Sequence, residues 1–439
     1  KRRARYPPRT LSLEGLAKVS PNRLQIGLLH WAHSASFSPP ASPDSGAQGV
    51  VISAPGRAGL AGEGQEQAMR LTIERSALLK ALNHVQSVVE RRNTIPILSN
   101  VLVSAQGDSL RLTATDLDIE ISEGAPAEVE RAGQTTAPAN YLYDFVRKLP
   151  DGAAVKLDVS GDDPRLFISA GKSRLHLPIL PAGDFPAMPS DGFETRFEIE
   201  PTELGRLVDK TRFAISTEET RYYLNGIFFH TVEADGAKLR AVATDGHRLA
   251  LADANAPKGA MGMPGVIVPR KTINELKRLL DDAADMVEIA VSPQKIRFQL
   301  GDAVLTSKLI DGSFPEYARV IPKNNSKKLK IDNKAFSNAV DRVATVSAER
   351  SRSVRLALEK DKVTLTVNNP DAGVATEDLA ADYGDEAMEI GFNAKYLLDV
   401  AGQIEGAEAV FELADSGSPT LVRDEADDQA LYVLMPLRV

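Results

Sequence analysis

Asp245-Gly246-His247-Arg248 places a carboxylate, an imidazole and a guanidinium within one turn, a set that general acid–base chemistry can use. No nucleophile accompanies them, because the chain has no cysteine and no Gly-x-Ser-x-Gly elbow. A Gly-His-Arg turn lining a binding site accounts for the same residues without a reaction. Asp116 and Asp118 look like a metal pair, but they share one face near the end of a strand and lack the further oxygen ligands a cation needs, so they read as surface carboxylates. Gly171-Lys172-Ser173 looks like the end of a phosphate loop, yet that motif needs a glycine where Leu166 stands. The expectation is therefore no catalytic residue, no metal site and no cofactor.

A scaffold must position these residues, and length bounds it. At 439 residues the chain exceeds what one hydrophobic core organises, which predicts two or three domains. The composition is globular, and no apolar run approaches the roughly 18 residues a membrane helix needs, so no membrane partner is expected. The lack of cysteine excludes a disulfide framework and fits a reducing, cytoplasmic location. A net charge of -8 argues against a simple basic DNA-coating protein but leaves room for a local basic surface. Residues 1–68 differ from the rest: rich in Pro, Gly, Ala and Ser, net positive, and without helix or strand period, they read as a disordered leader. The stretch from Leu24 to Trp31 is too short and interrupted for a secretory signal. Every methionine lies at or beyond Met69, which opens the first periodic segment and reads as the natural start.

Beyond the leader, four landmarks recur three times in the same order, and this repetition constrains the fold most. A short alternating strand runs into a helix at Leu71-Thr72-Ile73 before Ala77 to Val89, at Phe197-Glu198-Ile199 before Glu203 to Ala214, and at Leu329-Lys330-Ile331 before Ala335 to Val346. A strand ends in a polar pair at Thr115-Asp116, Thr244-Asp245 and Asn368-Asn369. A strand leads into a second helix at Ala137-Pro138-Ala139, Val268-Pro269-Arg270 and Phe392-Asn393-Ala394. A closing aromatic or Met precedes Pro at Phe185-Pro186, Phe314-Pro315 and Met435-Pro436. Each unit of roughly 120 to 130 residues, within the usual domain size, holds two helices and many short strands. That predicts an α+β unit with two helices packed on antiparallel sheet. Domains are expected at 69–190, 191–322 and 323–439.

The helices carry the basic residues. In the first, Leu78, Leu82, Val85 and Val89 form the stripe predicted to be buried, while Lys80, His84, Ser87 and Arg91 repeat the spacing on the predicted exposed face. Arg206, Lys210 and Arg212 follow in the second unit, and Asn338, Arg342, Arg350 and Arg352 in the third. The second helices add Arg147 with Lys148, Lys277 with Arg278, and Lys395. Positive charge gathered on one layer of an acidic protein suits phosphate contacts that hold a duplex without reading its bases.

Arg221-Tyr222-Tyr223-Leu224-Asn225-Gly226, Ala243-Thr244-Asp245-Gly246-His247-Arg248-Leu249-Ala250, Val266-Ile267-Val268-Pro269-Arg270-Lys271, Thr306-Ser307-Lys308-Leu309-Ile310-Asp311-Gly312, Met388-Glu389-Ile390-Gly391-Phe392-Asn393 and Tyr432-Val433-Leu434-Met435-Pro436-Leu437-Arg438-Val439 closely resemble the beta subunit family of bacterial DNA polymerase III, the sliding clamps. The resemblance covers Met69 to Val439 and has no counterpart for the leader. It implies three tandem clamp-type units per protomer and a head-to-tail homodimer closing into a ring around double-stranded DNA. It also implies a non-catalytic processivity factor, the nucleotidyltransferase activity residing in another subunit. The implied partners are the replicative polymerase catalytic subunit, an ATP-driven clamp loader, and other DNA polymerases and repair proteins.

By motif match the resemblance assigns a partner-peptide pocket to Leu224, Thr244, Gly246, His247, Arg248, Leu249, Pro315, Arg319, Val320, Asn393, Tyr396, Val433, Met435, Pro436 and Leu437. Ser351 stands where the family pattern has Phe, and Gly417 with Pro419 where it has Val and Ser. For DNA it points to Arg92, Tyr222 and Tyr223, joined by the basic Arg147, Lys148, Arg270 and Lys271, while Asn140 replaces a family Arg. The implied dimer interface sets Lys172, Arg174 and Leu175 of one protomer against Thr345 and Val346 of the other.

Overall fold

The structure, a computed structural model, describes residues 68–90, 94–160, 163–347 and 352–438. The leader up to residue 67 lies outside the described residues, as do Arg91, Arg92, Arg350 and Ser351.

Six α-helices occur among the described residues, two per repeat: α1 (Arg75–Val85), α2 (Ala139–Arg147), α3 (Pro201–Arg212), α4 (Arg270–Leu280), α5 (Asn333–Ala344) and α6 (Ala394–Ala401). The first helix of each repeat starts two residues earlier than its apolar period suggested, because the last residue of the preceding strand or its neighbour sets the start. Glu74 accepts from the Ser76 and Ala77 amides, and Asp332 accepts from the Ala335 amide at 2.7 Å. These bonds satisfy amides that have no partner within the helix. Pro201 opens α3, where a missing N–H costs nothing. α1 stops at Val85, short of the expected Val89. The Val88 and Val89 amides turn back to Val85 and Gln86, and both side chains are buried beyond the helix.

The strands form four antiparallel sheets. One of five strands runs Glu128–Arg131, Met69–Glu74, Ala154–Val159, Arg165–Ala170, Ser173–Pro178. One of eight runs Thr195–Ile199, Val287–Val291, Lys295–Leu300, Ala303–Lys308, then Ile119–Pro126, Ser109–Thr115, Asn100–Gln106, Gly133–Pro138. One of nine runs Val266–Pro269, Gly226–Glu233, Ala237–Thr244, Arg248–Asn255, then Asp427–Leu434, Thr420–Asp424, Glu408–Leu413, Lys327–Asp332, Asp382–Tyr383. The last, of four, runs Gly373–Ala380, Lys362–Asn369, Ser353–Glu359, Met388–Asn393.

Each repeat thus contributes two half-sheets with its two helices packed against them, and neighbouring repeats fuse edge to edge. Ile119–Pro126 pairs with Ala303–Lys308, with Glu120 opposite Thr306. Arg248–Asn255 pairs with Asp427–Leu434, with Leu249 opposite Val433. The core follows the period-two pattern: Met69, Leu71 and Ile73 are buried while the residues between them are not. Leu78 and Leu82 of α1 are fully buried, at about 2 kcal/mol each.

Candidate functional site

Where the second and third repeats fuse, apolar side chains emerge on the sheet face away from the helices. Val242, Leu249, Leu251, Leu421 and Val433 form a separate buried cluster there, with Phe228, Phe314 and Tyr317 packed against it. Above it opens a cavity of about 250 Å³ lined by Leu224, Thr244, Gly246, Arg248, Leu249, Pro315, Glu316, Tyr317, Val320, Val433 and Met435. Leu224, Leu249 and Val433 form buried walls, whereas Val320 and Met435 stand exposed at the lip. A concave, mostly apolar site with a few fixed polar groups suits the anchor side chains of a short peptide.

The turn at Thr244–Arg248 builds one side. Thr244 Oγ1 accepts from the Gly246 amide at 3.1 Å and donates to the Arg248 carbonyl at 2.6 Å. Asp245 Oδ1 accepts from the His247 and Arg248 amides at 2.9 and 3.0 Å. Glycine suits position 246: its φ is 87°, which L side chains rarely adopt, and an added Cβ would sit 2.6 Å from Arg221 Nη1 and displace that side chain. Arg248, almost fully buried, donates Nε to Asp245 Oδ2 at 3.1 Å, Nη2 to the Phe213 carbonyl at 2.6 Å and Nη1 to Asp399 on α6. Its guanidinium also lies 4.4 Å from the Tyr396 ring centroid. Arg248 therefore ties the second repeat to the third beneath the cavity. The chain end is held from both sides, since the Met435 amide donates to the His247 carbonyl at 2.9 Å and the Leu437 amide to the Gly391 carbonyl at 2.8 Å.

Nine of the fifteen expected pocket residues line this cavity. The other six sit nearby or in supporting positions. His247 is exposed with its ring 6.4 Å from that of Tyr396, Asn393 caps α6 through the Lys395 amide, and Arg319 is an exposed partner of Glu316. Pro436 and Leu437 belong to the tail clasp. Glu316 and Tyr317 were not anticipated, although the closing Phe314-Pro315 landmark lies immediately before them.

The basic face differs from the expectation. His84 is not exposed: it is buried between Glu123 and Asp282, with Nε2 2.9 Å from Asp282 Oδ2. Burial, the largest influence on it, opposes its charge, but the bonds and charges of Glu123 and Asp282 outweigh that and raise its pKa. Lys210 is also buried, donating to the Gln403 carbonyl at 2.6 Å and pairing with Glu405 at 2.7 Å. Arg206 reaches Gln429 at 2.8 Å, Lys277 pairs with Asp209 at 2.8 Å, and Arg342 with Glu377. Asp116 is no free surface carboxylate. It accepts from the Asp118 and Ile119 amides through Oδ1 and from Lys271 through Oδ2, so Lys271 is committed to a contact between repeats. For His84, Arg206, Lys210 and Lys271 the neighbouring repeat supplies a carboxylate, whereas Lys277 and Arg342 are paired within their own repeat. Lys80, Lys148, Arg270 and Lys395 are exposed and make no ion pair among the described residues. Arg147 is exposed but shares Asp144, and Tyr222, 55 % exposed, meets Tyr223 edge to face at 5.8 Å.

Comparison with known proteins agrees with this architecture. Family models for the N-terminal, central and C-terminal domains of the DNA polymerase III beta subunit match residues 69–189, 198–316 and 318–438. The beta sliding clamp of Caulobacter vibrioides is 64% identical over 372 residues, 84% of this chain and 100% of that protein. A crystal structure of the Caulobacter crescentus beta sliding clamp with polyethylene glycol bound superposes with a TM-score of 0.83 at 64% identity, covering 85% of this chain and 100% of that one. The sliding clamp of Bartonella birtlesii bound to griselimycin gives 0.83 at 52% identity, with the same coverage. No helix among the described residues is long and apolar enough to cross a membrane.

Proposed function

The chain belongs to the DNA polymerase III beta subunit family, and from that membership we propose a sliding clamp, a non-catalytic processivity factor that encircles duplex DNA and docks partners through the cavity. On this reading the three clamp domains span 69–190, 191–322 and 323–439.

One observation carries the ring: the same edge pairing joins the first repeat to the second and the second to the third. Gly373–Ala380 is the third repeat's counterpart of Ile119–Pro126 and Arg248–Asn255. Ser173–Pro178 is the first repeat's counterpart of Ala303–Lys308 and Asp427–Leu434. Among the described residues, both end their sheets without a partner strand. Joining them between two copies, head to tail, repeats the internal junction a third time and removes exposed sheet edges. Carrying the register across sets Val374 opposite His176 of the partner subunit, Ala375 opposite the partner's Leu175, and Asp378 opposite the partner's Lys172. Val374, 65 % exposed in the protomer, gains cover, and acidic Glu377 and Asp378 meet the partner's Lys172 and the partner's Arg174. Thr345, followed by Val346, occupies the place that Ser87 holds after α1. Ser87 donates to Glu275 of the next repeat at 2.5 Å, so Thr345 faces the partner's Asp144.

The helix layer then surrounds DNA with a sparse set of contacts, Arg147, Lys148, Arg270, Tyr222 and Tyr223, and Arg92, which lies outside the described residues, would add to them. Few unpaired cations favour sliding over tight, salt-sensitive binding. The replicative polymerase, an ATP-driven loader, and other polymerases and repair proteins would take turns at the cavity, in the cytoplasm. The test is topological. Loaded onto a nicked circular plasmid, the protein should co-migrate with it through a sizing column, and a single cut of the plasmid should release it. Equal retention on circular and linear DNA would sink the ring.

A further inference from the structure

The cavity wall contributed by Tyr317 is held from behind by His230 and Arg240. Tyr317 lies in the short 3-10 helix Tyr317–Arg319, a segment too brief to fix a side chain by itself. Its phenol oxygen lies 3.0 Å from Nε2 of His230 and accepts from Nη1 of Arg240 at 3.3 Å. Arg240 is itself anchored by two bonds to Asp253, Nε to Oδ1 and Nη2 to Oδ2, each 2.7 Å. His230 is fixed by stacking: its ring centroid is 4.6 Å from Phe228, which in turn stacks on Phe314 at 4.9 Å.

Proton bookkeeping decides the roles. A guanidinium only donates, so the phenol oxygen accepts from Arg240, and the arrangement that also satisfies the phenol hydrogen has it donated to Nε2 of His230. That bond requires an unprotonated Nε2, hence a neutral imidazole. The groups facing the ring support that state. Burial, then the Arg240 charge, hold His230 below its ordinary value, while a backbone bond to Thr231 and the Asp253 carboxylate pull weakly the other way. Protonation turns Nε2 into a second cationic donor beside Arg240 on the same oxygen, and the phenol hydrogen loses its acceptor.

We propose that Tyr317 is a positioning residue of the peptide cavity, set by the neutral His230 and by Arg240, so that a proton on His230 releases this wall and weakens peptide docking. The inference rests on the reading of the cavity as the peptide site. The bond is complete above the His230 pKa and lost below it, a window under the ordinary histidine value of about 6.5.

The experiment measures binding of a rhodamine-labelled hexapeptide carrying two leucines and a phenylalanine, with no group titrating between pH 5 and 8, to the full-length protein by fluorescence anisotropy. His230→Gln keeps an acceptor oxygen but cannot titrate, and Tyr317→Phe keeps the ring but has no hydroxyl. Wild type should lose roughly five-fold more affinity between pH 8 and pH 5.5 than either variant, the worth of about one hydrogen bond. Tyr317→Phe should also bind roughly five-fold more weakly at pH 8. His247, exposed at the rim, is common to all three proteins, so only the difference counts. Equal acid-side losses in wild type and Tyr317→Phe overturn the inference, and Tyr317→Phe alone decides if His230→Gln fails to fold. A probe that binds none of the three at any pH overturns the peptide-site reading itself.

Discussion

The two internal junctions share a backbone and differ in character at five places on their outer face. At the first, register equivalence picks out Thr113, Glu120, Ser122, Arg297 and Thr306; at the second, the same places hold Val242, Leu249, Leu251, Leu421 and Val433. The polar set is covered by the chain that links the repeats: Glu120 accepts from the Met188 amide at 2.9 Å, and Arg297 lies 4.7 Å from the Phe193 ring. The apolar set forms the floor of the cavity. One ladder of backbone bonds therefore serves as a plain seam in one place and a docking site in another, and five side chains decide which. The turns beside the seams show the same division. Leu117 (φ 81°) stands where Gly246 (φ 87°) stands, and Asp116 makes the bonds that Asp245 makes. The second oxygen of Asp116 holds Lys271, whereas that of Asp245 holds Arg248, which reaches Asp399.

The comparison is broken most severely at Arg248. Arg248→Ala leaves Asp245 and Asp399 facing each other's charge and the Phe213 carbonyl without its donor. Removing one member of such a buried set typically costs about 3 to 5 kcal/mol. Urea unfolding of the variant should show this loss together with loss of peptide binding. A midpoint equal to wild type would mean that the clasp does not hold the second junction.

The first junction depends on His84 in a pH-dependent way. His84→Gln removes the charge between Glu123 and Asp282 and should cost about 1 to 3 kcal/mol near pH 6. Because the folded pKa of His84 is raised, its contribution is fully present below the unfolded value of about 6.5 and is lost as pH rises through the folded value. Wild-type and variant urea midpoints should therefore converge between pH 6 and pH 9. A constant gap across that range would assign His84 a packing role only.

His84 also marks where sequence reasoning stops. The three repeats and their helices were legible because a helix period or a strand alternation is local. The polar pairs Thr115-Asp116 and Thr244-Asp245 were visible for the same reason. Periodicity reports which face a helix turns to its own sheet, and Leu78, Leu82 and Val85 are buried as it predicts. It carries no information about a neighbouring repeat far along the chain, so His84 and Lys210 read as exposed although Asp282 and Glu405 cover them. The cavity was reached through resemblance, motif by motif. Tyr317 escaped because its role depends on His230 and Arg240, two strands of another sheet segment that only the fold brings to it.

The smallest effect sharpens the comparison by subtraction. Lys308 on Ala303–Lys308 bonds Asp118 across the first junction at 3.1 Å, and it is the kind of contact that is easily credited with holding two domains together. Both side chains are mostly exposed, 58% and 80%, so the Coulomb gain is screened and offset by the entropy of fixing two flexible groups. Its backbone amide still donates to the Asp118 carbonyl at 2.8 Å, and that bond does not depend on the side chain. Lys308→Ala should therefore change unfolding free energy by less than about 0.5 kcal/mol at ordinary salt. If instead the loss approached that of His84→Gln and vanished in high salt, exposed charge rather than the ladder and the buried histidine would be what joins the first two repeats.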